Sequence, residues 1–242
     1  RHDDLTGDGI VLRSRYDVII IPDMSTRQLI NGFSIGVVPG QYAGGIEESG
    51  LDNLKEFVRS GGTLVAFNQA AASLIPLMSL PVRDDLHGKS SDKFYCAGAL
   101  LRIEREHPDL PINFGVTDEP VVMFEDSPAF DILPGFKGAI LARYAKQGEL
   151  LESGMIIHQE VLHGKIAALE VNYGSGRIFL YGFKPQHRGQ AHGTYRYMFN
   201  ALYQFTDPPM PVETPSAPQK TDAKSEDIQQ ASSAHSGKNG DR

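Results

Sequence analysis

One stretch constrains this chain more than any other: Gly61-Gly-Thr-Leu-Val-Ala-Phe-Asn68-Gln-Ala-Ala-Ala-Ser73. A glycine pair ends one helix, Thr63 to Phe67 reads as a short buried strand, and an alanine-rich segment starts the next helix at once. Strand, tight turn and helix make the geometry of a nucleophile elbow, which holds the turn residue at the carboxyl end of a sheet. A working elbow carries Ser or Cys. This one carries Asn68 and Gln69, and an amide is not a nucleophile. The stretch therefore predicts an elbow without its chemistry.

The flanking segments fit an α/β design. Tyr16 to Ile21 is a β-branched run stopped by Pro22-Asp23, as in an interior parallel strand buried on both faces. Gln28 to Phe33 reads as a short helix. Pro39-Gly40 to Gly44-Gly45-Ile46 is a glycine-rich loop before Glu47–Arg59, whose Leu51, Leu54, Phe57 and Val58 share one helical face. Acids early and bases late in that segment suit the helix dipole. A glycine-rich loop before a helix can bind an anion through backbone N–H groups. The spacing is neither GxGxxG nor one followed by GK[ST], and a close pass of backbone against backbone is the plainer reading.

Further along, Pro81 to Asp92 reads as a polar loop, Leu100 to Glu106 as either strand or helix with its alternation favouring strand, and Val121–Phe124 and Ala139–Arg143 as short strands. Asp126 to Gly135 reads as a connecting loop. Lys165–Tyr173 and Arg177–Gly182 flank a Gly-Ser-Gly turn, a hairpin signal. Thr194 to Phe205 reads as a closing amphipathic helix. Residues 207–242, with Pro208-Pro and then Lys, Asp, Ser, Gln and Gly, read as a disordered tail that cannot bury enough apolar surface to offset its ordering entropy.

Composition excludes several functions. The net charge of −7 argues against a nucleic-acid binder. No apolar run reaches the roughly 18–20 residues of a membrane span. The single Cys96 excludes an internal disulfide and makes a cysteine-based metal site untenable. The chain opens on Arg1-His2-Asp3, which reads as a piece of a longer protein. Asp4-Leu-Thr6-Gly-Asp8 resembles the start of a calcium loop, but the position needing a bidentate acid is Arg15, so a polar turn is expected.

No His begins HxxE or HExxH. His158 and His163, like His187 and His192, stand five apart and outside any such motif, so no metal site is expected. No GxSxG occurs, and Ser73 lies too far into its helix to be an elbow residue. Cys96 and His187 are the groups a hydrolase would have to use, and Cys96 lacks a local activating pattern. Gly44, Gly45, Asn68, Gln69, His187, Arg188, Gln190 and His192 are the candidates for a ligand crevice at the carboxyl ends of the strands. The loop with Lys184, His187, Arg188, Gln190 and His192 suits a carboxylate or amide ligand, and a solvated or partner-packed loop is its plainer reading.

Tyr16–Asp23, Leu54–Gln69, Leu151–Gly154, Gly164–Gly182 and Phe183–Leu202 resemble the class I glutamine amidotransferase-like domain, in the version attached C-terminally to bacterial zinc carboxypeptidase-like proteins. Phe183-Lys-Pro-Gln-His-Arg-Gly-Gln190 and Phe199-Asn-Ala-Leu-Tyr203 carry most of the likeness. The resemblance implies a flavodoxin-like three-layer α/β sandwich over residues 1–206, mainly parallel, with a late β-hairpin. An active member has Cys at the elbow and an acid two residues after a late His; here stand Asn68 and, after His187, Gly189. The expectation is a non-catalytic accessory domain whose partner is the peptidase domain of the same polypeptide. Zinc is expected only in that missing domain, no cofactor in this chain, and a secreted or periplasmic location for the whole. A small-molecule binding module and a hydrolase with an unrecognised site are the alternatives.

Overall fold

The structure is a computed structural model that describes residues 2–7, 11–189 and 191–203. The order of elements is β1 (Val18–Ile21), α1 (Thr26–Ile30), α2 (Glu47–Arg59), β2 (Thr63–Phe67), α3 (Gln69–Leu77), β3 (Val82–Asp84), β4 (Tyr95–Arg102), β5 (Glu104–Arg105), β6 (Val121–Phe124), β7 (Phe130–Ile132), β8 (Gly138–Arg143), β9 (Leu151–Ile157), β10 (Ile166–Tyr173), β11 (Gly176–Tyr181) and α4 (Tyr195–Tyr203). Short 3-10 turns lie between them.

The main sheet runs β1-β2-β11-β10-β7-β3, with β8 also on β10 and β5 on β8. β1, β2 and β11 are parallel to one another. β10 is antiparallel to β11, β7 and β8, and β3 is antiparallel to β7. The sheet is therefore mixed, not mainly parallel. The parallel part is limited to strands whose connections pass through α1, α2 and α3, or return from the far side of the chain. Two segments read as loops contain strands, β3 within Pro81–Asp92 and β7 within Asp126–Gly135. Each is only three residues long, too short for alternation to show in sequence.

Side-chain alternation divides the interior into two cores on opposite faces of this sheet. Leu64 and Ala66 of β2, and Ile178 and Leu180 of β11, join the helix-side core with Leu54, Phe57 and Val58 of α2 and Leu74 of α3. Val65, Phe67, Phe179 and Tyr181 point the other way. There a three-stranded antiparallel sheet, β6-β4-β9, and Tyr197 and Ala201 of α4 cover them. The layers are thus helices, mixed sheet, and small sheet with α4. β2 is buried at every position, and burying each of its larger side chains contributes roughly 1.5–3 kcal/mol.

That arrangement brings the carboxyl ends of β1, β2 and β11 to one edge of the sheet, because parallel strands in register end together: Ile21 pairs with Ala66, and Tyr181 with Phe67. The loop after β11 then bridges to β6 of the small sheet through Met123 and Lys184. Asp23, Asn68, Glu125 and Lys184 follow these four strands. The described residues include no helix long and apolar enough to cross a membrane.

Candidate functional site

The turn from β2 to α3 is sharp. Asn68 adopts φ 51° and ψ −121°, a region sparsely populated by residues with a side chain. Its backbone N–H extends the β2–β11 pairing by donating to Tyr181 O at 2.8 Å. Its carbonyl already accepts from Ala71 N–H at 3.0 Å inside α3. The last strand bond and the first helix bond thus fall on one residue, which forces the bend.

The side chain of Asn68 is 1% exposed and fully engaged. Nδ2 donates to Asp23 Oδ1 at 3.1 Å and to the Glu125 carbonyl at 3.1 Å. Oδ1 accepts from Ser127 Oγ at 2.5 Å, and that hydroxyl accepts from Glu125 N–H at 2.9 Å. Gln69 donates its backbone N–H to Asp23 Oδ1 at 3.2 Å and its side-chain amide to the Asp126 carbonyl. Lys184 Nζ lies 3.0 Å from Asp23 Oδ2 and 2.5 Å from Glu125 Oε2.

The charges reinforce one another. The Lys184 ammonium, hydrogen-bonded to Glu125, holds that carboxyl below its usual value against a smaller effect of burial. His187 and Arg188 add positive field at Glu125. Burial pulls Lys184 down, but its bonds to Glu125 and Asp23 outweigh this and its pKa is raised. Both shifts favour the charged forms of Glu125 and Lys184 at neutral pH. The described arrangement provides hydrogen-bond donors and acceptors but no nucleophile at the elbow position.

The other sequence candidates are dispersed. Gly44 and Gly45 line a cleft of about 210 Å³ with His2, Pro22 and Met24 beside β1. A Cβ on Gly45 would stand 2.3 Å from the Ile30 carbonyl, and one on Gly32 would stand 1.9 Å from the Gly44 carbonyl. These glycines let two backbones pass in contact, and they share no hydrogen bond with the Asn68 cluster among the described residues. His187 is half-buried and Arg188 exposed in the loop after β11. His192 is exposed, with its ring edge-on to Tyr195 at 5.4 Å. Gln190 and the segment 207–242 lie outside the described residues.

Cys96, on β4, is 8% exposed in the core between the two sheets. Burial pushes its thiol up, and the Asp126 charge acts in the same direction. A reactive cysteine needs the opposite shift. His158 pairs with Glu160 at 2.9 Å, while His163 contacts the Gly148 carbonyl at 3.1 Å. Among the described residues no group of three or more His, Cys, Asp or Glu is arranged to hold a metal.

Sequence reasoning singled out Asn68, Gln69 and the Lys184 loop but missed Asp23, Glu125 and Ser127 as their partners. Asp23 read only as a strand stop, and Glu125 follows a strand assigned to no site. The available signal was a polar residue directly after each of several short apolar runs.

No protein-family model matches the sequence, and no curated protein matches it. Among solved structures, the chain is similar to a cytoplasmic protein from Salmonella typhimurium, with 18% identity, TM-score 0.50, and coverage of 85% of this chain and 76% of that one. It is also similar to a cytoplasmic protein from Salmonella typhimurium LT2, with 14% identity, TM-score 0.51, and coverage of 83% and 75%. PurLQS from Thermotoga maritima matches at 18% identity and TM-score 0.46 over 78% of this chain and 79% of that one, a likeness too loose to argue from. At these identities the first two define a shared α/β fold and nothing about activity.

Proposed function

We propose that this chain is a non-catalytic, amidotransferase-like accessory domain of a zinc carboxypeptidase-like protein. The observation that carries the first half is the state of Asn68. The strained turn of an elbow is present, yet its residue is a buried amide whose donors and acceptor are all engaged within the fold. Such a side chain neither attacks a carbonyl nor turns to meet a ligand. A late His followed two residues on by Gly189 supports the same reading, because glycine has no carboxylate to orient the imidazole as a base.

The second half rests on the likeness of Phe183–Gln190 and Phe199–Tyr203 to the domain found beside such peptidases. On this reading zinc and catalysis belong to the peptidase domain of the same polypeptide, and the whole acts in the periplasm or outside the cell. The test is a parallel assay of glutamine hydrolysis, carboxypeptidase activity and zinc content, on this chain and on the full-length polypeptide. The chain alone is expected to be inert and without stoichiometric zinc, while the full-length protein removes C-terminal residues from peptides. Turnover by the chain alone overturns the non-catalytic reading; a full-length protein without peptidase activity overturns the partnership.

A further inference from the structure

In a working elbow the backbone N–H of the residue after the nucleophile is aimed at the oxyanion that forms during acyl transfer. Here that donor is the N–H of Gln69, and it is already engaged by Asp23 Oδ1 at 3.2 Å. The same oxygen accepts from Asn68 Nδ2 at 3.1 Å, and the other carboxylate oxygen faces Lys184 Nζ at 3.0 Å. A backbone amide, a side-chain amide and an ammonium, carried by two segments 116 positions apart at Asn68 and Lys184, converge on one carboxylate.

The donors are held in place without Asp23. Asn68 is fixed by Ser127 and the Glu125 carbonyl, and Lys184 by its second carboxylate, Glu125. Asp23 comes from a separate segment: it follows Pro22 in the turn between β1 and α1, and its side chain is 33% exposed. The carboxylate therefore enters a preformed set of donors from the open side.

We propose that Asn68, Gln69 and Lys184 form a carboxylate-binding site, and that Asp23 occupies it as a tethered plug. The plug closes the elbow to free carboxylates and to an acyl oxyanion. This deepens the non-catalytic reading of the elbow and rests on it. A group attached to its own site acts at an effective concentration that a dilute free ligand does not match, so the wild-type chain stays closed. Removing Asp23 leaves Lys184 with Glu125 alone and makes the site more positive, which favours an entering anion.

The test is thermal unfolding of Asp23→Ala and Asp23→Ser, titrated with sodium acetate and sodium formate against sodium chloride at equal ionic strength. At about ten times its Kd, a carboxylate raises the Tm of either variant by roughly 3–5 °C. The wild-type chain and the double variant Asp23→Ala, Lys184→Met show no shift beyond that of chloride. A shift in the single variants no larger than with chloride, or equal to that of the wild type, overturns the proposal. So does failure of both variants to fold at any carboxylate concentration, since a free carboxylate would then not replace the plug. No activity is read, so a failed plug leaves the accessory reading standing, and glutamine hydrolysis by the wild-type chain removes that reading while the thermal shifts are still measured.

Discussion

Two lysines each join a pair of carboxylates that come from different elements. Lys184 lies between Asp23 and Glu125 at the elbow. Lys165, just before β10, lies 3.0 Å from Asp85 and 2.9 Å from Asp131. The backbones beneath them differ. Asp131 sits in β7, opposite Arg83 of β3 in a regular antiparallel ladder, and Arg83 adds a contact of 2.8 Å. Asp23 instead accepts from the turn at Asn68 and Gln69, where the backbone is strained. A lysine between two acids is thus no mark of a site by itself. The Lys165 group fastens strands that the sheet already pairs, whereas the Lys184 group holds a turn that ordinary backbone energetics disfavour.

The sharpest way to break this contrast is at the strained residue. Asn68→Ala leaves Ser127 without its acceptor and takes a donor from both Asp23 and the Glu125 carbonyl. It also keeps a Cβ at positive φ. Losing buried partners of this kind costs about 3 kcal/mol, read as a lower midpoint in urea unfolding. Asn68→Gly loses the same bonds but relieves the backbone, so it is expected to be milder by about 1 kcal/mol. A glycine variant no better than the alanine variant shows that the turn is not strained, and the contrast between the two lysines fails with it.

The next largest effect compares the lysines directly. Lys184→Met strands two carboxylates around a buried amide and is expected to cost about 2 kcal/mol. Lys165→Met removes a cation from a group in which Arg83 still neutralises Asp131, and about 1 kcal/mol or less is expected. Urea midpoints of the two variants, side by side, check the order. The reverse order makes the strand-side group the stronger fastening.

What the sequence allowed to be read follows the same division. β2, the helix Glu47–Arg59 and the strand Val121–Phe124 were legible because each is a run long or apolar enough for its period to show. The elbow was legible because strand, turn and helix follow one another without a gap. The partners of Asn68 were not legible. Asp23 lies 45 positions away, and Glu125 and Ser127 lie 57 and 59 away. They meet only because β1, β2 and β6 end at one edge, which is a fact of strand order. The small β6-β4-β9 sheet was hidden for a related reason: β9 is exposed over most of its length, so it carries little apolar alternation.

Acid pH gives a smaller and more graded test. Glu125 and Asp131 both have depressed pKa values in the folded chain. At Glu125 the cause is its bond to Lys184, and at Asp131 burial is outweighed by Lys165 and Arg83. A depressed carboxyl contributes stability above its unfolded pKa, about 4, and that contribution is lost as pH falls through the folded value. Stability is therefore expected to drop below about pH 4. Asp84 acts in the opposite sense: burial raises its pKa, so its contribution is present at low pH and is lost as pH rises through its folded value. Lys184→Met and Lys165→Met each flatten the acid limb of a plot of urea midpoint against pH. If neither changes it, the pairing of these carboxylates with lysine does not carry the acid sensitivity.

The smallest change in stability is expected at Cys96, a residue outside both lysine groups. Its thiol is buried between the sheets, and burial raises its pKa, so little thiolate exists at neutral pH. Cys96→Ala is expected to change stability by about 1 kcal/mol or less. A disulfide-exchange reagent should label the native chain roughly 10³-fold or more slowly than the unfolded chain, because reaction waits on opening of the core. Lys184→Met and Asn68→Ala, which loosen the adjacent elbow, should speed labelling only in proportion to the stability they lose. Rapid labelling of the wild-type chain would mean that the core around β4 opens locally. The region would then be more mobile than the elbow beside it, and Cys96 would have to be weighed again as a reactive group.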